Sequence, residues 1–314
     1  MQQQLGFIFP GQGSQKVGML ADLAEAYGQI EETFSEASEV LGYDLWALCQ
    51  NDPDEQLGLT HITQPAILTA SIAIWRLWCS QGGARPALLA GHSLGEYSAL
   101  VCSESLTFTD AVALVRKRGE LMQTAVPVGT GAMAAIVGLS DSEVVSICEN
   151  HSGAKVVEPV NFNSPGQIVI AGHKEAVENA MQACKEKGAK RAIPLPVSAP
   201  FHSSLMRPAA AQFVEVLEAV AFSSPKIPVL QNYKLSLSKD NSCNIQDNLV
   251  NQIFSLVPWT STIRFFNEKG VNTVVECGPG RVLCGLNKRI SAGMEALPTE
   301  SRAAFEAALE AWQA

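Results

Sequence analysis

Ala87-Leu88-Leu89-Ala90-Gly91-His92-Ser93-Leu94-Gly95 is the stretch on which the fold turns. Residues 87–90 are a short apolar run that reads as a buried strand, residues 91–95 match G-x-S-x-G, and a helical pattern follows. A sharp strand-to-helix turn needs small residues on both sides of the serine. It lifts the hydroxyl out of the sheet and aims backbone N–H groups and a helix N-terminus at it. Ser93 is therefore the candidate nucleophile. The bare five-residue pattern also fits an inert serine in a glycine-rich turn, and the flanking strand and helix argue against that reading.

Working outward, residues 5–9 form a second apolar run, stopped by Pro10, which feeds the loop Gly11-Gln12-Gly13-Ser14-Gln15. Strand, turn and helix repeated with apolar strands predict an α/β class with a parallel sheet covered by helices. The pattern changes at Ala132. A strand to Leu139, a helix to about Asn150 with Ser140 and Glu143 as its capping box, and a strand over 155–161 come first. After the turn Asn163-Ser164-Pro165-Gly166 come a strand over 167–171, a helix of about 173–187 ended by Gly188, and a strand over 190–195. That β-α-β-β-α-β order is ferredoxin-like and predicts a small inserted subdomain at 128–197. Residues 1–127 and 198–314 then form one discontinuous α/β-hydrolase-like domain. Its second part holds a helix over 204–220, a strand over 227–230, helices near 245–268, a strand over 271–277, and a helix opened by Gly278-Pro279-Gly280. There is no internal repeat.

The 314 residues, 47% hydrophobic and 17% charged, have the composition of a globular protein. A net charge of −9 gives no electrostatic grip on nucleic acid or anionic lipid, so neither is an expected partner. The start lacks a basic n-region and meets Pro10 and Gly11 early, unlike a signal peptide, which predicts a cytoplasmic protein. The most apolar window, 65–79, is broken by Thr69, Ser71 and Arg76 and falls short of the roughly 20 residues that span a bilayer. Eight cysteines (49, 79, 102, 148, 184, 243, 277, 284) include no CxxC pair and read as reduced thiols, with no metal site implied.

A serine hydroxyl needs a base within hydrogen-bond reach. Of five histidines, His61 and His173 precede apolar helices, His151 ends one, and His92 adjoins Ser93 but points elsewhere along the turn. His202 remains, in a proline-fixed loop after the insertion and downstream of the serine, as in α/β-hydrolase chain order. A hydrolase triad also wants an acid between them. Asp110 and Glu120 are helical and Asp141 and Glu143 serve a cap, so a carbonyl is left to orient the histidine.

On a helix over 110–123, Arg118 falls in the middle of the apolar stripe Ala111, Val115 and Met122, while Arg116, Lys117 and Glu120 face solvent. A buried guanidinium requires a partner, and its planar fork fits a carboxylate. Spacing leaves two candidates: a substrate carboxylate, or an internal salt bridge such as one to Glu96. The loop at 11–15 lacks the third glycine of GxGxxG, which would fall at Lys16, and no P-loop is present. At the carboxyl end of the first strand it is either a plain tight turn or a source of an oxyanion N–H.

Taken together, Phe9-Pro10-Gly11-Gln12-Gly13-Ser14-Gln15, Thr63-Gln64-Pro65-Ala66, Gly91-His92-Ser93-Leu94-Gly95-Glu96, Arg118-Gly119, Gly129-Thr130-Gly131-Ala132-Met133, Asn161-Phe162-Asn163-Ser164-Pro165-Gly166-Gln167, Phe201-His202-Ser203 and Gly278-Pro279-Gly280 resemble the malonyl-CoA:acyl carrier protein transacylases over the whole chain. The resemblance implies Ser93 as nucleophile, His202 as base and Arg118 as clamp on the malonyl carboxylate. It implies Gln12 and Leu94 at the oxyanion hole, Gln252 as the carbonyl that orients His202, and Phe201 and Gln64 as substrate-binding residues. Phe201 matches a malonyl-type motif; methylmalonyl-type domains carry a smaller residue there. The implied substrates and partners are malonyl-CoA and acyl carrier protein in fatty acid synthesis, with no cofactor, since the coenzyme A thioester is itself a substrate. Such carrier proteins are acidic. Lys185, Lys187, Lys190 and Arg191 are either part of their docking surface or a solvated helix end. The rival activities are a serine esterase or thioesterase on the same elbow, and a non-catalytic carrier-binding module.

Overall fold

A computed structural model describes residues 4–197, 199–238 and 244–313. The chain opens with β1 (Gln4–Phe9), then α1 (Ala21–Ala26), α2 (Gln29–Leu41), α3 (Leu45–Asn51) and the long α4 (Thr60–Ser80). Most of α4 is buried on every side, as expected of an apolar helix threaded through the core. Next come β2 (Leu88–Gly91), α5 (Gly95–Cys102) and α6 (Phe108–Thr124), the last N-capped by the Thr107 hydroxyl, which accepts from the Asp110 N–H.

The insertion follows as β3 (Gly131–Val137), α7 (Asp141–His151), β4 (Val157–Ser164), β5 (Gln167–His173), α8 (Lys174–Glu186) and β6 (Arg191–Pro194). The Ser140–Glu143 capping box forms at the start of α7. β4 begins two residues later than the sequence predicts, because Ser152 closes residues 152–157 by accepting from the Val157 N–H and donating to the Val157 carbonyl. It also runs further, to Ser164, which pairs with Gln167. The predicted four-residue turn is therefore a hairpin with only Pro165 and Gly166 at its tip.

Beyond the insertion lie a 3₁₀ turn (Ser204–Met206), α9 (Arg207–Glu218), β7 (Val229–Leu230), α10 (Ile245–Gln252), α11 (Trp259–Glu268), β8 (Val271–Glu276), α12 (Val282–Ile290), β9 (Glu295–Pro298) and α13 (Arg302–Ala311). The predicted single helix over 204–220 is thus split, with Pro208 in the first turn of α9.

Two sheets result. β7-β2-β1-β8-β9 is parallel throughout, and β4-β5-β3-β6 is antiparallel throughout, the strand order of a ferredoxin-like unit. The α/β class, the parallel sheet and the antiparallel insertion therefore stand as expected. Phe9 pairs with Gly91 and Ile8 with Glu276, which brings the loops after β1, β2 and β8 together at one edge of the parallel sheet. That edge, outside the strand carboxyl ends, is where α/β sheets present ligand sites. No helix among the described residues is long and apolar enough to cross a membrane.

Candidate active site

Ser93 sits between β2 and α5 with φ of 52°, a left-handed conformation that a non-glycine residue adopts only when its surroundings enforce it. The enforcement is visible. A Cβ added at Gly91 would lie 1.8 Å from the carbonyl carbon of Gly95, and one at Gly95 would lie 2.0 Å from the carbonyl oxygen of Phe9. Asn232 clamps the turn: its Oδ1 accepts from the Ser93 N–H at 2.9 Å while its Nδ2 donates to the Gly91 carbonyl at 2.7 Å.

The Ser93 hydroxyl lies 2.7 Å from His202 Nε2. His202 also has positive φ, 66°, and its Nδ1 lies 2.9 Å from the Gln252 carbonyl. That carbonyl can only accept, so it places the ring proton on Nδ1 and leaves Nε2 as the acceptor for the serine proton. Burial, helped by the nearby Arg118 cation, holds the imidazole down at about 3, so it is neutral at physiological pH.

Arg118 faces inward from α6 and is 1% exposed. Its Nη1 donates to Gln64 Oε1 at 2.9 Å, and its Nη2 donates to Gln252 Oε1 at 2.9 Å and to Ser93 Oγ at 3.1 Å. Nε has no acceptor among the described residues. Of the two partners left open by spacing, the direct salt bridge to Glu96 is not formed. The Glu96 carboxylate accepts instead from Gln231 Nε2 at 3.0 Å, the Asn232 N–H at 2.9 Å and Gln252 Nε2 at 2.8 Å. The Gln252 amide therefore stands between the two charges, its oxygen toward the cation and its nitrogen toward the anion. Burial pushes the Glu96 carboxyl up and the Arg118 guanidinium down from their ordinary values.

These groups open into a cleft of about 380 Å³ whose walls include Gln12, His92, Met133, Asn161, Val197 and Phe201, contributed by both sheets' surroundings. The backbone N–H groups of Gln12 and Leu94 make no hydrogen bond among the described residues. They remain available to an oxyanion. Phe201 is buried in the cleft wall. Gln64 is fully buried and is not part of that wall; it touches the guanidinium from behind, and its Nε2 lies 3.5 Å from Gln12 Oε1. His92 turns away from the serine to bond Asn163 Oδ1 on β4 at 2.8 Å. The seven described cysteines are free thiols, and Cys243 lies outside the described residues, as does Ser198 in the loop before His202. No cluster of three or more metal-ligating side chains occurs among the described residues.

A strained, clamped serine with a neutral imidazole on one side and an uncompensated guanidinium on the other is the arrangement of an acyl-carrying nucleophile. Residues 6–290 match the model of the acyl transferase domain. The chain belongs to the acyl transferase family. It is 55% identical over 306 residues to the malonyl CoA-acyl carrier protein transacylase of Salmonella typhimurium, covering 98% of this chain and 99% of that protein. Among solved structures it is similar to the malonyl CoA-acyl carrier protein transacylase of Coxiella burnetii, with a TM-score of 0.96, 47% identity and coverage of 100% and 99% of the two chains. A malonyl-transacylase solved in complex with its type II PKS acyl-carrier protein gives a TM-score of 0.96 at 52% identity, covering 98% of this chain and 99% of that one.

Within this acyl transferase site, sequence reasoning missed Asn232, Gln231 and the side-chain role of Gln252. All three meet Glu96 or Ser93 across more than 130 residues of chain. The one available signal was Glu96 itself, a carboxylate one residue past the elbow in an otherwise apolar helix, which had to find donors somewhere.

Proposed function

We propose that this chain moves a malonyl group from malonyl-CoA to the phosphopantetheine thiol of acyl carrier protein, through a malonyl ester on Ser93, in fatty acid biosynthesis in the cytoplasm. The observation that carries the reading is the Ser93 hydroxyl held at once by the neutral His202 and by Arg118, whose guanidinium has no carboxylate partner among the described residues. The names and near full-length similarity of the relatives support it.

In the first half-reaction the Ser93 proton passes to His202 Nε2 as Oγ attacks the thioester carbonyl. The resulting oxyanion is held by the Gln12 and Leu94 N–H groups. Collapse breaks the C–S bond, and the leaving thiolate takes the proton from His202. In the second half-reaction the carrier thiol gives its proton to His202 and attacks the ester carbonyl; collapse breaks the C–O bond, and Ser93 Oγ takes the proton back from His202. The Gln252 carbonyl steadies the imidazolium in each half. Arg118 binds the malonyl carboxylate with two hydrogen bonds, which selects a dicarboxylic acyl group. In this reading the 128–197 unit faces the 1–127 and 198–314 unit across the cleft, and no cofactor takes part.

The test is competition between acceptors. With malonyl-CoA and carrier protein together, malonyl-carrier is expected to form far faster than free malonate. Rapid release of malonate with little carrier product would instead make the chain a thioesterase.

A further inference from the structure

Glu276 is a carboxylate with no exposed surface, at the carboxyl end of β8, and the reaction above makes no use of it. Its two oxygens accept from backbone N–H groups in the first turn of α12, Leu283 at 3.1 Å and Cys284 at 2.7 Å. Its own carbonyl accepts from Thr299 Oγ1 at 2.7 Å. The carboxylate thereby closes the turn over residues 277–282. That turn packs on the loop after β1: a Cβ added at Gly278 would lie 2.4 Å from Pro10 Cγ, and one at Gly280 would lie 3.1 Å from the Ser14 carbonyl oxygen. Ser14 in turn ties the β1 loop by donating to the Gly11 carbonyl at 2.9 Å, and the Cys277 N–H donates to the Ile8 carbonyl at 2.9 Å. Between Gly11 and Ser14 lies Gln12.

The geometry points to Glu276 as a positioning residue for acyl transfer: by fixing the 277–282 turn against the Pro10–Ser14 loop, its carboxylate holds the Gln12 N–H in place for the oxyanion. This rests on the reading of Ser93 as nucleophile and Gln12 as oxyanion donor.

The proposal has a pH signature. Burial pushes the Glu276 carboxyl up to about 7, against the pull of the two N–H donors, and Glu300 adds to the rise. Among the described residues the charged and titratable groups that act on it are Glu300 after β9, which the exposed Arg281 approaches at 3.9 Å, and the thiols of Cys277 and Cys284, both pushed upward by burial. Protonation converts one of the two acceptor oxygens into a donor that faces an N–H, so the turn loses a bond as pH falls through 7. The cleft histidines His202 and His92 are both pushed downward by burial, away from that range.

The experiment is the single-turnover rate of Ser93 acylation from malonyl-CoA and from acetyl-CoA, between pH 6 and 8, in the full chain and in Glu276→Gln. The amide offers one acceptor oxygen, so the variant mimics the protonated form. The expected result is a wild-type rate that rises several-fold from pH 6 to 8. In the variant both acyl donors react at the low, pH-independent rate with unchanged half-saturation, and the protein melts no lower than wild type at pH 8. A merely structural carboxylate gives no such pairing of retained stability with lost rate. Equal rates and profiles in the two proteins overturn the proposal, as does a change confined to half-saturation. Should the variant fail to fold, a wild-type rate that is flat from pH 6 to 8 overturns it and a rise through 7 supports it. Ser93→Ala run alongside separates the premises: acylation that survives there sinks the nucleophile reading, whatever Glu276 does.

Discussion

Arg118 and Glu96 stand one amide apart, and the orientation of that amide decides what the cation is free to do. Because Arg118 only donates and Glu96 only accepts, the Gln252 side chain has a single orientation that satisfies both. Gln252→Met keeps the main-chain carbonyl on His202 but removes the acceptor that aims the guanidinium. We expect malonyl transfer to fall roughly 100-fold or more, since the bonds to both Arg118 and Glu96 are lost, and acetyl transfer several-fold less, read as kcat/KM for the two thioesters. Arg118→Ala is expected to widen the same gap further, and equal losses on both acyl groups would make Arg118 structural. At this scale the candidate residues were legible because motif context singles them out. Ser93, His202 and Arg118 were named from pattern, and the structure brings His202 and Arg118 each within hydrogen-bond reach of Ser93. Asn232 was not legible. Its role depends on a turn 139 residues away, and an isolated asparagine after a two-residue strand carries no periodic signal.

The elbow and the turn after β8 are the elements that hold the site, and each contains a stability test. Gly95→Ala would place a methyl group 2.0 Å from the backbone oxygen of Phe9, which no rotamer relieves. The expected cost is about 3 kcal/mol or more, seen as a lowered urea midpoint or loss of soluble protein. Glu276 gives a linkage test. Its folded carboxyl lies near 7 against an ordinary 4.5. Its stabilising protonated form is fully present below 4.5, and the contribution is lost as pH rises through 7, on the order of 3 kcal/mol. Glu276→Gln is expected to flatten the fall in stability between pH 4.5 and 7, measured by denaturant melts across that window. Most elements were legible from apolar runs, the Ser140–Glu143 box and proline or glycine stops. Those that shifted did so through local side-chain bonds such as that of Ser152. β9 went unread, since a four-residue, half-exposed strand carries little apolar period; α13 went unread although Phe305 and Ala308 give it a buried face.

At the scale of the whole molecule, a parallel sheet and an antiparallel one share a cleft, and His92 to Asn163 is a direct side-chain link between elbow and insertion. The parallel sheet and the ferredoxin-like insertion followed from the sequence through the alternation of strands and helices, whereas the order β7-β2-β1-β8-β9 and the meeting of residues 12, 93, 118, 202 and 252 required the fold. In the proposed function a net charge of −9 has to coexist with binding a carrier protein expected to be acidic. Lys185, Lys187, Lys190 and Arg191 are exposed and form no ion pair among the described residues, which leaves them free for that role. Reversing all four charges is expected to raise the KM for carrier protein while leaving that for malonyl-CoA unchanged; an unaltered carrier KM would return them to the solvated surface. The most direct test of the central claim is the intact mass of the protein after brief exposure to malonyl-CoA without carrier. A persistent single malonyl adduct on the Ser93 peptide is expected, absent in Ser93→Ala and discharged by added carrier protein. An adduct that forms in Ser93→Ala, or no adduct while malonyl-carrier accumulates, would contradict it.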